Sequence, residues 1–249
     1  MFRKVVIIIT IIVYINVLLS CGIDEYYYLP QVPEISVQTN FNTYATVNLP
    51  KIPDDYYYAT CYTIFYKIYV SNKQTQSSSP SEFNLISSSL YSDYNYLLQF
   101  TNPVNTSANT STNTFKNRNF YELEFEGKDN ITMLPKNGGN LSINFSTTTG
   151  FNPFASLNNS VENIHLLRSR KLTLAEPDDL YFQNTDELRS GAITTPIRNA
   201  DVAAGRQGED MIFTYVAMYI AAVGTNSNNF TTIYSKPTFI NVFILPNKD

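Results

Sequence analysis

The chain has 249 residues, of which 43% are hydrophobic and 15% are charged, and it contains 19 Tyr, 16 Phe and no Trp. This composition excludes a disordered, highly charged tail, and a formal net charge of −4 excludes nucleic acid as the main partner because no large basic surface is available. One His and two Cys are too few to build a His-rich or Cys-rich metal cage, so we expect neither a metal site nor another cofactor.

The N-terminus has a positive end at Arg3 and Lys4, followed by an apolar run from Val5 to Leu19. A helix over this run rises roughly 22 Å, which is short of the roughly 30 Å hydrocarbon core of a bilayer. The pattern therefore predicts a cleaved secretory signal over residues 1–20. An uncleaved membrane anchor and a secreted protein without lipid are the alternatives.

The end of the signal carries a motif for lipid attachment. Leu18, Leu19 and Ser20 directly precede Cys21. This ending resembles the lipobox of bacterial lipoproteins, in the relaxed form associated with spirochaetes, because a bulky Leu19 replaces the usual smaller residue. The resemblance implies a diacylglyceryl thioether and an N-acyl chain on Cys21, and thus stable attachment to a membrane. It also implies the bacterial cell envelope, at the outer membrane, on its surface or on its periplasmic face.

A tether and the first strands follow the signal. Residues 21–33 carry prolines and no periodicity, so we expect a tether there and an ordered domain over residues 34–249. Alternating apolar residues predict strands over residues 45–49 and 62–70. Cys61 has no neighbouring base to lower its pKa, which favours a buried, unreactive thiol.

A helix is predicted after these strands. Ser79 is placed as its N-cap and Pro80 as its first helical residue. Apolar residues then recur at spacings of three and four, at Phe83, Ile86, Leu90, Tyr94 and Leu97. This pattern predicts one helix over about residues 80–99 that packs its apolar stripe on the sheet. The Asn-rich residues 101–119 are expected to form an exposed connector.

The middle of the chain returns to alternation. It predicts strands over residues 121–126 and 140–146, each with one polar face. The Asn137-Gly138 pair between them favours a tight hairpin turn. A further strand is expected over residues 163–168.

The chain end predicts a hairpin whose first strand is buried, because residues 211–223 are apolar on both faces and a polar loop separates them from a strand over residues 238–245. The Tyr and Ala residues around Tyr219, followed by Ser235-Lys236-Pro237, resemble the last two strands of a fibronectin type III domain. This resemblance implies a mainly β, antiparallel, immunoglobulin-like sandwich with a long insertion at about residues 73–206 that contains the helix. Two small sandwiches are the alternative.

Two groups of side chains are candidates for binding. Arg168, Arg170 and Lys171 cluster at the end of a predicted strand, where an anionic ligand such as a sulfated glycan or phosphate is one interpretation. Surface salt bridges to the acidic residues between Glu176 and Asp210 are the favoured interpretation.

The second group is a run of three tyrosines, Tyr56, Tyr57 and Tyr58. Neighbouring strand residues face opposite sides, so at least one of these rings is expected to face solvent, where tyrosine favours protein or glycan ligands. The alternative is that tyrosine replaces the missing Trp and Leu in the core.

The sequence names no catalytic residue. The one histidine, His165, lies between two apolar residues without a nucleophile motif nearby. The chain is therefore predicted to be a lipid-anchored envelope protein that serves binding or structure. An envelope hydrolase that uses paired carboxylates and a surface adhesin for host or cell-surface ligands are the alternatives.

Overall fold

A computed structural model gives the structure of residues 29, 35–54, 58–75, 79–98, 118–145, 152–169, 181–182, 200–203, 212–225 and 232–245. The predicted signal and lipobox, including Leu18, Leu19, Ser20 and Cys21, lie outside these residues, and so do Tyr56, Tyr57, Arg170 and Lys171. Of the predicted tether, Leu29 is described, and it is buried in the core.

Within these ranges the chain forms two antiparallel sheets and a few short helices. In chain order the elements are β1 (Ser36–Asn40), β2 (Tyr44–Leu49), β3 (Ala59–Ser71), a 3₁₀ turn (Pro80–Glu82), α1 (Phe83–Ile86), α2 (Ser88–Leu98), β4 (Tyr121–Glu122), β5 (Glu124–Phe125), α3 (Asn130–Met133), β6 (Gly139–Asn144), β7 (Phe154–Leu157), β8 (Ile164–Leu167), β9 (Phe213–Thr225), β10 (Thr232–Tyr234) and β11 (Thr238–Ile244). The first sheet has the order β1-β2-β6-β7-β8-β5, and the second has β10-β9-β3-β4 with β11 also paired to β9. The predicted mainly β sandwich is confirmed.

The two longest strands, β3 and β9, pair along their whole length at the centre of the second sheet. Almost every residue in them is buried, since both faces of this sheet are covered. In the first sheet β2 lies between β1 and β6, and in the second sheet β9 lies between β3 and β11. The predicted strands at β2, β3 and β8 and the C-terminal hairpin are confirmed.

Apolar side chains form two layers, one on each face of the second sheet. Ile64, Tyr66 and Ile68 of β3 point into the layer between the sheets. The intervening Phe65 and Tyr69 point into the layer under the helices. Because strand side chains alternate, Lys67 falls between these two residues on the helix side. The predicted helix therefore does pack its apolar stripe on the sheet.

The prediction of one continuous helix over residues 80–99 is wrong. Ser87 has extended dihedral angles and divides α1 from α2. The hydroxyl of Ser79 makes no capping bond. The hydroxyl of Ser87 instead accepts the N–H of Ser89 at 3.2 Å, which caps the start of α2.

The predicted hairpin between residues 121–126 and 140–146 is also wrong. The first segment breaks at Leu123, where β4 pairs with β3 and β5 crosses to pair with β8 in the other sheet. The second segment, β6, pairs with β2 and β7. The turn itself is present, with Gly138 at a φ of +81°, but α3 precedes it and it leads β6 alongside β2. Alternating polarity indicates which face of a sheet a residue occupies, but it does not determine which strand pairs with which.

Candidate functional site

An open cleft of about 420 Å³ lies between α2 and the helix-covered face of β3. The helix contributes Ser88, Ser89, Ser92 and Asp93, the strand contributes Lys67, and the segment before β4 contributes Arg118. Asn119 and Ala203 complete the lining, so the cleft is lined mostly by hydroxyl, amide and charged groups, in a layer that is otherwise mainly apolar.

The two buried charges of the cleft occupy positions that their elements turn inward. Asp93 lies between Leu90 and Leu97 at spacings of three and four, so it shares their side of α2 and faces the sheet. Lys67 shares the face of Phe65 and Tyr69 on β3. The helical and strand periods thus place an acid and a base opposite each other.

The floor of the cleft is a closely bonded ionic network. The Lys67 ammonium donates to Asp93 Oδ2 at 2.7 Å and to the backbone oxygen of Arg118 at 2.7 Å. The Tyr69 hydroxyl donates to the same carboxylate oxygen at 2.8 Å. The exposed fraction of the side chain is 9% for Lys67 and 4% for Asp93, so this pair has little contact with water.

Aromatic rings surround these charges. The Lys67 ammonium lies 5.6 Å from the centre of the Tyr69 ring and 5.5 Å from that of Phe120, distances at which a cation is attracted to a ring face. Burial raises the pKa of Tyr69 well above its usual value, and Asp93 adds to the rise, so this hydroxyl stays a donor. Tyr219 packs edge-on against Phe120, and its buried hydroxyl has no hydrogen-bond partner within the described ranges.

Arg118 forms the exposed cationic part of the cleft. Its guanidinium lies 4.0 Å from the centre of the Tyr96 ring and donates one longer bond, of 3.3 Å, to Asp93 Oδ1. A third of its side chain is exposed. Arg118 lines the cleft together with Ser88 and Ser92. Within the described ranges its guanidinium donates to no acceptor other than Asp93.

Arg168 forms a salt bridge with an acidic residue of the 176–210 stretch, as favoured from the sequence, but this pair is buried and not on the surface. Its Nε donates to Asp201 Oδ2 at 2.8 Å and its Nη2 donates to Oδ1 at 2.5 Å, while the Tyr66 hydroxyl also donates to Oδ2 at 2.9 Å. Burial alone would lower the pKa of Arg168, but Asp201 outweighs burial and raises it. Arg168 is thus an internal partner of Asp201, which lies in a segment without sequence periodicity.

The other sequence candidates also lie away from the cleft. Tyr58 is half-buried, and its backbone oxygen accepts the N–H of Thr225 at 3.1 Å. His165 lies in β8 with its ring edge-on to that of Tyr181. Cys61 is buried in β3, and burial raises its pKa, as expected of an unreactive thiol.

Sequence reasoning did not single out Lys67, Asp93 or Arg118. A signal existed for two of them, because Lys67 interrupts an apolar strand and Asp93 interrupts an apolar helix stripe. A charge inside each of two buried patterns indicates that the two are paired, since an unpaired buried charge is costly. Arg118 follows a polar stretch and carries no such signal.

Comparisons of the chain with protein-family models, with curated proteins and with solved structures give no match. No helix in the described ranges is long and apolar enough to cross a membrane. Likewise, the part of the chain that the structure describes holds no cluster of three or more His, Cys, Asp or Glu suited to a metal ion.

Proposed function

We propose that the protein is a lipid-anchored bacterial envelope protein whose β-sandwich domain binds a ligand in the cleft beside α2 and catalyses no reaction. The anchor is Cys21, supported by the apolar run before it and by Leu18 and Ser20 at the lipobox positions. Several acyl chains, at about 0.8 kcal/mol per buried methylene, hold such a protein on the outer membrane stably.

The observation that carries the binding role is that the buried charges of the cleft bond to one another, whereas its exposed groups face the opening. The charges at its base are committed to one another, because Asp93 accepts bonds from Lys67, Tyr69 and Arg118. A carboxylate with three donors is suited to holding the floor rigid and is poorly placed to take a proton from a substrate. The Arg118 guanidinium is held by Asp93 and by the Tyr96 ring before a ligand arrives, which favours affinity.

Lipid attachment is tested by labelling cells with radioactive palmitate. We expect the wild-type protein to carry label and Cys21→Ser to lose it. Cys61→Ala is the matched control, since it removes the other cysteine and should keep the label. Label that persists in Cys21→Ser contradicts lipid attachment at this residue.

The location of the domain is tested by treating intact cells with proteinase K beside a periplasmic control protein. Loss of the full-length band with the control intact places the domain on the cell surface and favours ligands outside the cell. Survival until the outer membrane is permeabilised places it on the periplasmic face and favours ligands of the envelope itself. Recovery in the cytosolic fraction contradicts the envelope assignment.

The binding role is tested by thermal melting of the protein with sets of neutral, anionic and cationic small polar compounds. A ligand that binds the folded state raises Tm. We expect at least one set to raise the Tm of the wild type and of Asn84→Trp, whose bulk lies at an exposed position of α1. Ser92→Trp, which fills the cleft from an exposed position of α2, should lose this response. No response in the wild type would contradict the binding role.

A further inference from the structure

We infer that the cleft binds a hydroxylated small molecule that carries an oxyanion, with a sugar acid as the simplest example. In this arrangement Arg118 holds the oxyanion, and the serines of α2 bond the hydroxyl groups. The inference rests on the binding function proposed above and specifies the chemical class of its ligand.

The charge of the cleft selects an anion. The lining contains two cations, Lys67 and Arg118, against one anion, Asp93. Asp93 and Lys67 neutralise each other at the floor, which leaves the charge of Arg118 toward the opening. Since the whole chain has a net charge of −4, the excess positive charge of this cleft is local.

The geometry of Arg118 suits an oxyanion with two oxygens in a plane. A guanidinium presents N–H groups in a fixed fork that matches carboxylate and phosphate. The ring of Tyr96, 4.0 Å away, supports one face of this fork and fixes its plane. One N–H is engaged by Asp93, so the guanidinium is oriented and still has donors for a ligand.

The serines suit hydroxyl groups. Ser88 and Ser92 are one helical turn apart, so their hydroxyls lie on one face of α2, with Ser89 beside them. A serine hydroxyl both donates and accepts, as a sugar hydroxyl does. A cleft of about 420 Å³ is within the usual size range of small-ligand sites. A neutral sugar would leave the Arg118 charge unanswered, and a cation would be repelled by it.

The test uses the full-length protein in detergent and isothermal titration calorimetry with glucuronate, glucose 6-phosphate, glucose and inorganic phosphate. We expect glucuronate or glucose 6-phosphate to bind at least tenfold more tightly than glucose and more tightly than phosphate alone. The tighter of the two identifies the oxyanion as a carboxylate or a phosphate. Glucose that binds as tightly as both acids overturns the inference.

Two variants assign binding to the cleft. Arg118→Gln should weaken binding of the preferred acid at least tenfold, or about 1.4 kcal/mol. Lys51→Gln is the matched control, because it removes one positive charge from an exposed loop outside the cleft lining and should change the affinity less than twofold. Equal effects of the two variants overturn the inference, since they indicate a general charge effect.

Further variants separate binding from folding, because Arg118 also contacts Asp93 and Tyr96. Arg118→Lys keeps the charge without the planar fork and should have intermediate affinity. The Ser88→Ala/Ser92→Ala double variant leaves the ionic network intact and should still weaken binding of the acid. Wild-type affinity in this double variant overturns the role of the hydroxyls.

Different outcomes contradict the proposed binding function and the proposed class of ligand. If only a neutral or cationic compound binds, and Ser92→Trp abolishes that binding, then the cleft is a binding site of another chemical class and this inference is wrong. If no compound of any class binds, the proposed binding function is wrong as well.

Discussion

Replacing Asp201 with Asn removes the charge that fixes residues 200–203 beside β3. The Asp201 side chain is fully buried and that of Arg168 is 7% exposed. The Asp201 oxygens accept two bonds from Arg168 and one from Tyr66. The backbone of the same segment bonds to Ile68 of β3: the Ile68 N–H donates to the Asp201 backbone oxygen at 2.9 Å, and the Ile68 oxygen accepts the N–H of Ala203 at 2.8 Å. The ion pair therefore also holds this segment against β3.

The expected cost follows from what Asn leaves behind. Its amide group places N–H donors where the carboxylate accepted bonds, so a donor of Arg168 or Tyr66 loses its acceptor. Removing one partner of a buried ion pair costs about 3–5 kcal/mol. In a chain of this size about 1 kcal/mol lowers Tm by about 2–4 °C, so Tm should fall by roughly 6–20 °C.

The measurement is urea unfolding followed by far-UV circular dichroism, with the free energy of unfolding taken by linear extrapolation. Asp54→Asn is the matched control, because Asp54 pairs with Lys51 at 2.8 Å in full solvent. The control should leave the unfolding midpoint unchanged, since water replaces such a pair. A loss below about 1 kcal/mol in Asp201→Asn would refute the argument, because it would mean that Arg168 is solvated without its partner.

Three further outcomes follow from burial and backbone geometry. Burial raises the pKa of Tyr66 and Tyr69 well above 10.0. The stability they contribute is therefore fully present below that pH and is lost as the pH rises further, because the unfolded tyrosines ionise first. Tyrosinate absorbance should reach its full value only as circular dichroism reports unfolding, and full absorbance in the native state contradicts this. Cys61 should react slowly with a thiol reagent at pH 8 and rapidly in urea, as measured by mass spectrometry of its peptide, and rapid native labelling would show that the thiol is not buried. Gly138→Ala should lower the free energy of unfolding in urea by about 1–3 kcal/mol, and by more than Gly127→Ala. Both residues have a positive φ, but of the two only Gly138 would bring a Cβ against backbone, at 2.4 Å from the Leu49 oxygen. Equal losses in the two variants would show that this contact relaxes.

The parts of the fold that sequence predicted correctly are those with a strong local period. The apolar runs of β3 and β9 and the alternation of β2 each identify a strand without knowledge of its partner. The prediction of a hairpin for residues 121–126 failed because the Leu123 N–H donates to the oxygen of Ile64, at 2.8 Å. This bond holds the segment against β3 at the point where the chain crosses to the other sheet. That bond joins residues far apart in sequence, and no local pattern encodes it.

The same holds for the candidate site: features set by a local pattern were predictable from the sequence, and features set by distant partners were not. Burial of Cys61 was predictable from the strand around it. The burial of Arg168 was not, because its partner Asp201 lies 33 residues away in a segment without a pattern. The cleft depends on Lys67, Asp93 and Arg118 meeting from three separate elements, so its residues become recognisable as a group only after the helix has been placed on the sheet.

The pairing of β3 with β9 also determines the order in which the molecule is completed. Phe65 lies opposite Tyr219, so more than half of the chain separates the two strands of the central ladder. Closing so large a loop is slow, and β9 becomes available to β3 only after most of the chain has been synthesised. The second sheet of an emerging chain therefore stays incomplete until β9 has been synthesised. Such delay suits the export that we propose, because a translocation channel threads an extended polypeptide and would be blocked by a finished sandwich.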